Sequence, residues 1–207
     1  MVNRADKSRS SSDTRHNPHP PHEVFSASRA GHLDTRFRRL IYRPGRLAER
    51  YVKPGSRVLD FGCGPGFFTR EFAKRVGDTG FVIAADLQQE MLNLLRDKME
   101  QEGLLPRIRM HLCAPDTIGL PQELNETIDA AFAIFVVHEV PDPLKLFEEI
   151  SSLLKPEGLF FYSEPPFIVP STEFRENLAE AERIGLKLVE KRFFFVNRAA
   201  VLRKVSP

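Results

Sequence analysis

The sequence predicts an α/β domain: a Rossmann-like, mostly parallel seven-stranded sheet, helices on both faces, and a C-terminal antiparallel β-hairpin. Three observations carry this. Short apolar runs alternate five times with amphipathic stretches, as parallel strands alternate with crossover helices. Gly62, Gly64 and Gly66 follow the first run at alternate positions and lead into a helical pattern. The end of the chain reads as two strands, residues 186–195 and 198–205, joined by a tight turn at Val196-Asn197.

The elements follow in order. Residues 36–41 read as a short basic helix, broken by Arg43-Pro44-Gly45, and residues 46–52 as a further amphipathic turn or two. Lys53-Pro54-Gly55 turns the chain into strand one, which ends at Val58-Leu59-Asp60-Phe61. Residues 67–76 read as a helix, 81–85 as strand two, and 88–102 as a helix stopping near Gly103. Residues 107–112 alternate as strand three, and 128–135 are apolar enough for a central buried strand four. The helix at 143–154 opens on Asp142 with proline in its first turn. Lys155-Pro156-Glu157-Gly158 reads as a turn before strand five at 159–162, and the helix at 172–184 ends at Gly185.

The length, 207 residues, suits one such domain, and 42% hydrophobic content supports a sizeable core. Residues 1–23 carry almost no apolar side chains, so a disordered basic tail is expected there. Residues 24–207 are expected to form one domain, with 24–45 as a segment over the site and 46–205 as the core. No apolar stretch reaches membrane-span length and no signal-peptide segment opens the chain, so a cytoplasmic protein with no membrane partner is expected. Cys63 and Cys113, two strand spacings or roughly 9–10 Å apart, are too distant for a disulfide and are expected as free thiols. No metal site is expected, since no His or carboxylate cluster has ligand spacing. The net charge of +2 is uneven: residues 1–50 hold eleven Lys/Arg against five Asp/Glu, and the remainder nineteen against twenty-three.

Val58-Leu59-Asp60-Phe61-Gly62-Cys63-Gly64-Pro65-Gly66 is the most informative stretch. A strand, a bare glycine turn and a helix N-terminus make a cradle for a nucleotide-bearing ligand. The dinucleotide spacing Gly-x-Gly-x-x-Gly is absent, and Asp60 in front of the turn would repel a pyrophosphate while attracting an ammonium group. Phe67 and Phe68 stand where a phosphate-binding loop needs a lysine. Asp86 lies twenty positions after Gly66 at the tip of strand two, where a carboxylate can accept both hydroxyls of a ribose. The same aspartate can instead cap the following helix.

At this point the chain resembles the class I S-adenosylmethionine-dependent methyltransferases, whose first motif has the form acid-x-Gly-x-Gly-x-Gly. The resemblance covers about residues 46–205. It implies S-adenosylmethionine as cofactor, S-adenosylhomocysteine as its product, and a cradle made of Asp60, Gly62, Cys63, Gly64, Pro65 and Gly66. It further implies Asp86 on the ribose, Leu87 as an apolar wall on the adenine, Asp116 with Ala114 and Pro115 at the adenine amino group, and the Ala133 carbonyl on the methionine ammonium. Asp116 can equally start a turn.

The acceptor side leaves a weaker trace. Phe135 is expected to floor the transfer site. His138 is a candidate general base, because neutral imidazole accepts a proton near neutral pH; the alternative is that it only holds the loop. Glu164 contacts substrate or braces its loop. Arg36, with the neighbouring arginines 38, 39 and 43, is a candidate for an anionic acceptor. The Pro165-Pro166-Phe167 stretch follows strand five rather than strand four, unlike the amino-methylating enzymes of adenine, and neither cysteine sits where cytosine-C5 chemistry needs one. A small-molecule acceptor is the leading expectation. The alternatives are a nucleic-acid methyltransferase using the basic N-terminal arm, a non-catalytic cofactor-binding protein of this fold, and an NAD-binding protein.

Overall fold

The computed structural model describes residues 40–205. The expected tail, most of the expected covering segment, and Arg36 lie outside the described residues. The elements are α1 Pro44–Tyr51, β1 Arg57–Phe61, α2 Thr69–Val76, β2 Phe81–Asp86, α3 Gln89–Gln101, β3 Ile108–Leu112, β4 Ile128–Ile134, α4 Pro143–Leu153, β5 Leu154–Glu164, α5 Ser171–Arg183, β6 Leu186–Phe194 and β7 Asn197–Lys204.

One seven-stranded sheet runs in the order β3-β2-β1-β4-β5-β7-β6. Strands β1 to β5 are parallel, and β7 and β6 close the far edge antiparallel. Side chains alternate across the sheet, so each strand feeds two cores. Val58, Val82, Ala84 and Phe132 meet α1 to α3 through Leu47, Phe72 and Leu95. Leu59, Ile83 and Ala131 meet α4 and α5 through Phe147, Ile150 and Leu178. Phe72 and Phe132 stack at 4.2 Å and lock α2 onto the middle of the sheet. Asp142 caps α4 by accepting from the Lys145 amide at 3.1 Å, with Pro143 beginning the helix as its sequence indicates.

From β1 the chain winds outward to β3, then returns to the centre and winds the other way through β4 and β5. The carboxyl ends of β1 and β4 therefore flank a topological switch point, where open α/β sheets present their crevice.

Three boundaries differ from the sequence reading. Helix α2 starts at Thr69, because Phe67 and Phe68 are spent on a buried aromatic cluster before the helix begins. Strand β5 runs through the expected turn: Leu154 pairs Ile128 and Leu159 pairs Ala130, so residues 155–158 bulge out of the ladder, with Glu157 at φ 65°. The hairpin tip is Phe195-Val196, one residue earlier than expected, and Asn197 is buried at the start of β7. Cys63 and Cys113 are free and buried. Among the described residues no helix is long and apolar enough to cross a membrane, and no group of three or more His, Cys, Asp or Glu could hold a metal ion.

Candidate active site

A cavity of about 370 Å³ opens along the carboxyl edge of the sheet. The strand order lays its walls out in line. The ends of β1, β2 and β3 supply Gly62 to Pro65, Asp86 to Gln88, and residues 113–118; the ends of β4 and β5 and the start of β7 supply residues 134–136, His138, Pro165, Phe167 and Asn197.

The three glycines do different work. A Cβ on Gly62 would stand 2.4 Å from the Val136 side chain, so Gly62 lets the loops after β1 and β4 touch at the switch point. A Cβ on Gly66 would press on Leu95 at 3.1 Å, so Gly66 seats α3. Only Gly64, at φ 52°, would send a Cβ into open space. A cradle that leaves one backbone unit bare toward a cavity is suited to close approach by a ligand. Gly64 is held there by Asp86, whose Oδ2 accepts from its amide at 2.8 Å while Oδ1 accepts from the Gln88 amide at 2.9 Å. Asp86 thus turns the chain toward α3 and also presents a carboxylate to the cavity. Burial pushes it up, against the pull of the Gln88, Gly64 and Leu87 amides.

Asp60 is 2% exposed and accepts from the Thr69 hydroxyl at 2.6 Å. It lies beneath the cavity wall, and a cation above the loop would feel its charge through the turn. Burial pushes it up to about 7, partly offset by the Thr69 hydrogen bond, with the charge of Asp86 adding to the rise.

On the other side, His138 Nδ1 lies 2.6 Å from Glu164 Oε2, with the two side chains 7% and 1% exposed. Glu164 Oε1 accepts from the amides of Val137 at 2.8 Å and His138 at 3.3 Å. One buried carboxylate therefore fixes both the backbone and the ring of the loop after β4. Burial is the largest influence on His138 and lowers it, but the hydrogen bond and charge of Glu164, with Glu139 and Glu173, outweigh burial and leave it raised. With Nδ1 turned to the carboxylate, the neutral ring carries its proton on Nδ1 and offers Nε2 as the basic nitrogen. Phe135, at φ 62°, donates its amide to the Ser163 carbonyl at 2.8 Å. A left-handed phenylalanine is strained, and here it turns the ring against Tyr42 at 5.4 Å on the cavity wall.

Of the sequence-selected residues, Gly62, Cys63, Gly64, Pro65, Asp86, Leu87, Ala114, Pro115, Asp116, Phe135 and His138 share this cavity. Asp60, Gly66, Ala133 and Glu164 do not line it: Ala133 is fully buried within β4 and cedes the strand-end position to Ile134, and Glu164 stands behind His138 as a brace. Tyr42, Val136, Phe167 and Asn197 line the cavity without having been selected. Asn197 carried a misleading signal, since asparagine between two strands reads as a turn, whereas its side chain donates to the Phe194 carbonyl at 3.1 Å.

Residues 58–158 match a family model described as a methyltransferase domain. Over 107 residues the chain is 35% identical to a ubiquinone/menaquinone biosynthesis C-methyltransferase, UbiE, of Hydrogenovibrio crunogenus, a match covering 52% of this chain and 41% of that protein. The chain thus spans about two-fifths of the length of such curated relatives. A crystal structure of a SAM-dependent methyltransferase from Aquifex aeolicus superposes with a TM-score of 0.78 at 28% identity, covering 88% of this chain and all of that one. The geranyl diphosphate C-methyltransferase of Streptomyces coelicolor, in complex with S-adenosyl-L-homocysteine, shares the fold with a TM-score of 0.66 at 16% identity, over 81% of this chain and 80% of that one. Its sheet order, its glycine turn and these likenesses are those of the class I S-adenosylmethionine-dependent methyltransferases, and its residues 58–158 match their methyltransferase-domain model.

Proposed function

We propose that this protein transfers a methyl group from S-adenosylmethionine to a small organic acceptor. The observation that carries the reading is one continuous cavity with the bare Gly64 turn and Asp86 under its β1–β3 side and the His138–Glu164 pair under its β4–β5 side. The residues present fit the donor. Gly64 leaves room for close approach, the carboxylate of Asp86 suits a ribose diol, Leu87 and residues 114–116 suit an adenine, and Asp60 beneath the turn favours a cation. The bound donor supplies an activated methyl on a sulfonium, so the protein chiefly aligns the acceptor and excludes water.

The lining of the cavity as a whole supports a small-molecule acceptor over a nucleic acid. Among the described residues lining the cavity there are aromatic rings at Tyr42, Phe135 and Phe167 and carboxylates at Asp86, Asp116, Glu139, Asp142 and Glu149, but no Lys or Arg. A phosphodiester would meet that wall unfavourably. His138 is the proposed base for an acceptor that loses a proton, and Glu164 is its positioning residue. A cytoplasmic location fits this reading.

Release of S-adenosylhomocysteine across a panel of phenols, amines and enolisable ketones tests it, with Asp86→Ala run in parallel. Turnover is expected with at least one class, and the variant should need about tenfold or more donor for half-maximal rate. Donor binding with no turnover across the panel would favour the non-catalytic alternative. Steeply salt-sensitive RNA or DNA binding with methylation would favour the nucleic-acid reading.

A further inference from the structure

We propose that the rim of this cavity docks on the surface of an anionic lipid bilayer, so that an acceptor dissolved in the membrane reaches the site without crossing bulk water. Phe167 is 80% exposed, Phe193 74%, Phe195 55% and Val196 51%. The register places them together: Glu164 pairs Arg198 and Phe194 pairs Asn197, so the β6–β7 hairpin tip projects from the same carboxyl edge that carries the cavity. Phe195 meets Tyr42 at 6.1 Å, and Tyr42 and Phe167 both line the cavity. The exposed apolar groups therefore stand on two separate segments at the carboxyl edge that carries the cavity, with half-buried Tyr42 between Phe195 and the cavity wall. Convex tips of this kind suit insertion among headgroups and acyl chains, where aromatic rings are favoured, better than they suit a flat protein interface.

Two further observations point the same way. Phe195 sits at the hairpin tip with φ 60°, a conformation that glycine or asparagine adopts at little cost and a bulky aromatic adopts under strain. The tip keeps an exposed phenylalanine where local folding favours another residue, which is the signature of a side chain kept for contact. The cations flanking the hairpin side are complementary to an anionic headgroup layer, whereas the exposed carboxylates of the cavity, Asp116 and Asp142, follow β3 and β4. Arg43 follows Tyr42, Arg46 sits in the first turn of α1, and Lys191 shares a strand face with Phe193; all three are exposed and form no ion pair among the described residues. The expectation of no membrane partner rested on the lack of a spanning segment, and a rim of loop tips needs none. The delivery of acceptor rests on the proposed methyl transfer, but the docking does not.

The test is flotation of the full chain with vesicles of phosphatidylcholine alone and of phosphatidylcholine mixed with phosphatidylglycerol, for wild type and for the double variant Phe193→Ser, Phe195→Asn. Neither residue lines the cavity, so donor binding by calorimetry should be unchanged in the variant and serves as the folding control. The proposal expects binding to the mixed vesicles, weaker binding to the neutral ones, and a loss of about tenfold or more in the variant. No binding to either vesicle, or binding the variant retains in full, overturns it. So does a wild-type dimer in light scattering that the variant loses without any vesicle binding, since a second copy would then own the patch. Failure of methyl transfer with intact flotation sinks only the acceptor route.

Discussion

Gly62 and Gly64 stand two residues apart in one motif, yet they are required for different reasons. A methyl at position 62 has nowhere to go but into Val136, and its backbone is at φ 67°. Gly62→Ala should therefore destabilise the fold by about 2 kcal/mol or more, read as a fall in melting temperature. Gly64→Ala meets no protein atom within 4 Å, so only its left-handed backbone resists, at a cost of about 1 kcal/mol. The ligand should feel it instead, and the donor's Kd should rise about tenfold or more with little change in melting. The His138–Glu164 pair makes a second residue-scale prediction. His138 is raised, so its basic form is present only above its raised pKa, and the rate should climb with pH through a midpoint above the ordinary imidazole range. In Glu164→Gln, the amide would donate to Nδ1 and move the proton to Nε2, the wrong tautomer for a base. The turnover rate should fall about 10²- to 10⁴-fold while KM changes little, a split that a merely structural brace would not produce.

Among the elements, strands were easier to read than their ends. Helix α4 announces its start through Asp142 and Pro143, and β4 announces burial through its apolar run. The hairpin tip was placed one residue late because Asn197 has turn chemistry, whereas Phe195, which has none, takes the positive φ. Tertiary packing decided that register: Phe194 is buried against Phe68, Phe135 and Phe161, and this forces its neighbour out to the tip. The element-scale prediction follows from that strain. Phe195→Gly should leave thermal unfolding unchanged or raise its midpoint slightly, since relief of about 1 kcal/mol of backbone strain offsets a half-exposed ring contact with Tyr42. A clear fall in melting temperature would assign Phe195 to the core instead.

At the scale of the molecule, the fold was legible because glycine spacing and alternating strand and helix patterns are local signals. The β1–β3 side of the cavity, proposed to take the donor, was legible for the same reason: the turn and Asp86 belong to neighbouring strands close in sequence. The β4–β5 side, proposed to take the acceptor, was less so, since it is assembled across sequence. Glu164 reaches His138 from 26 residues away, and Tyr42 and Asn197 are 155 positions apart on the wall of one cavity, distances that no periodicity encodes. The same topology explains why Asp60 does not line the cavity. It sits one residue before the strand end, where alternation turns its side chain under the loop and onto Thr69.

The proposed function depends first on the turn held by Asp86 seating the methyl donor. Calorimetric titration of S-adenosylhomocysteine into the full chain tests it most directly, with NADH as the comparison ligand and Gly64→Ala as the comparison protein. One saturable site is expected for the homocysteine nucleoside, weakened about tenfold or more by the added methyl group, with no heat from NADH. Saturable NADH binding, or nucleoside affinity indifferent to Gly64→Ala, would contradict it.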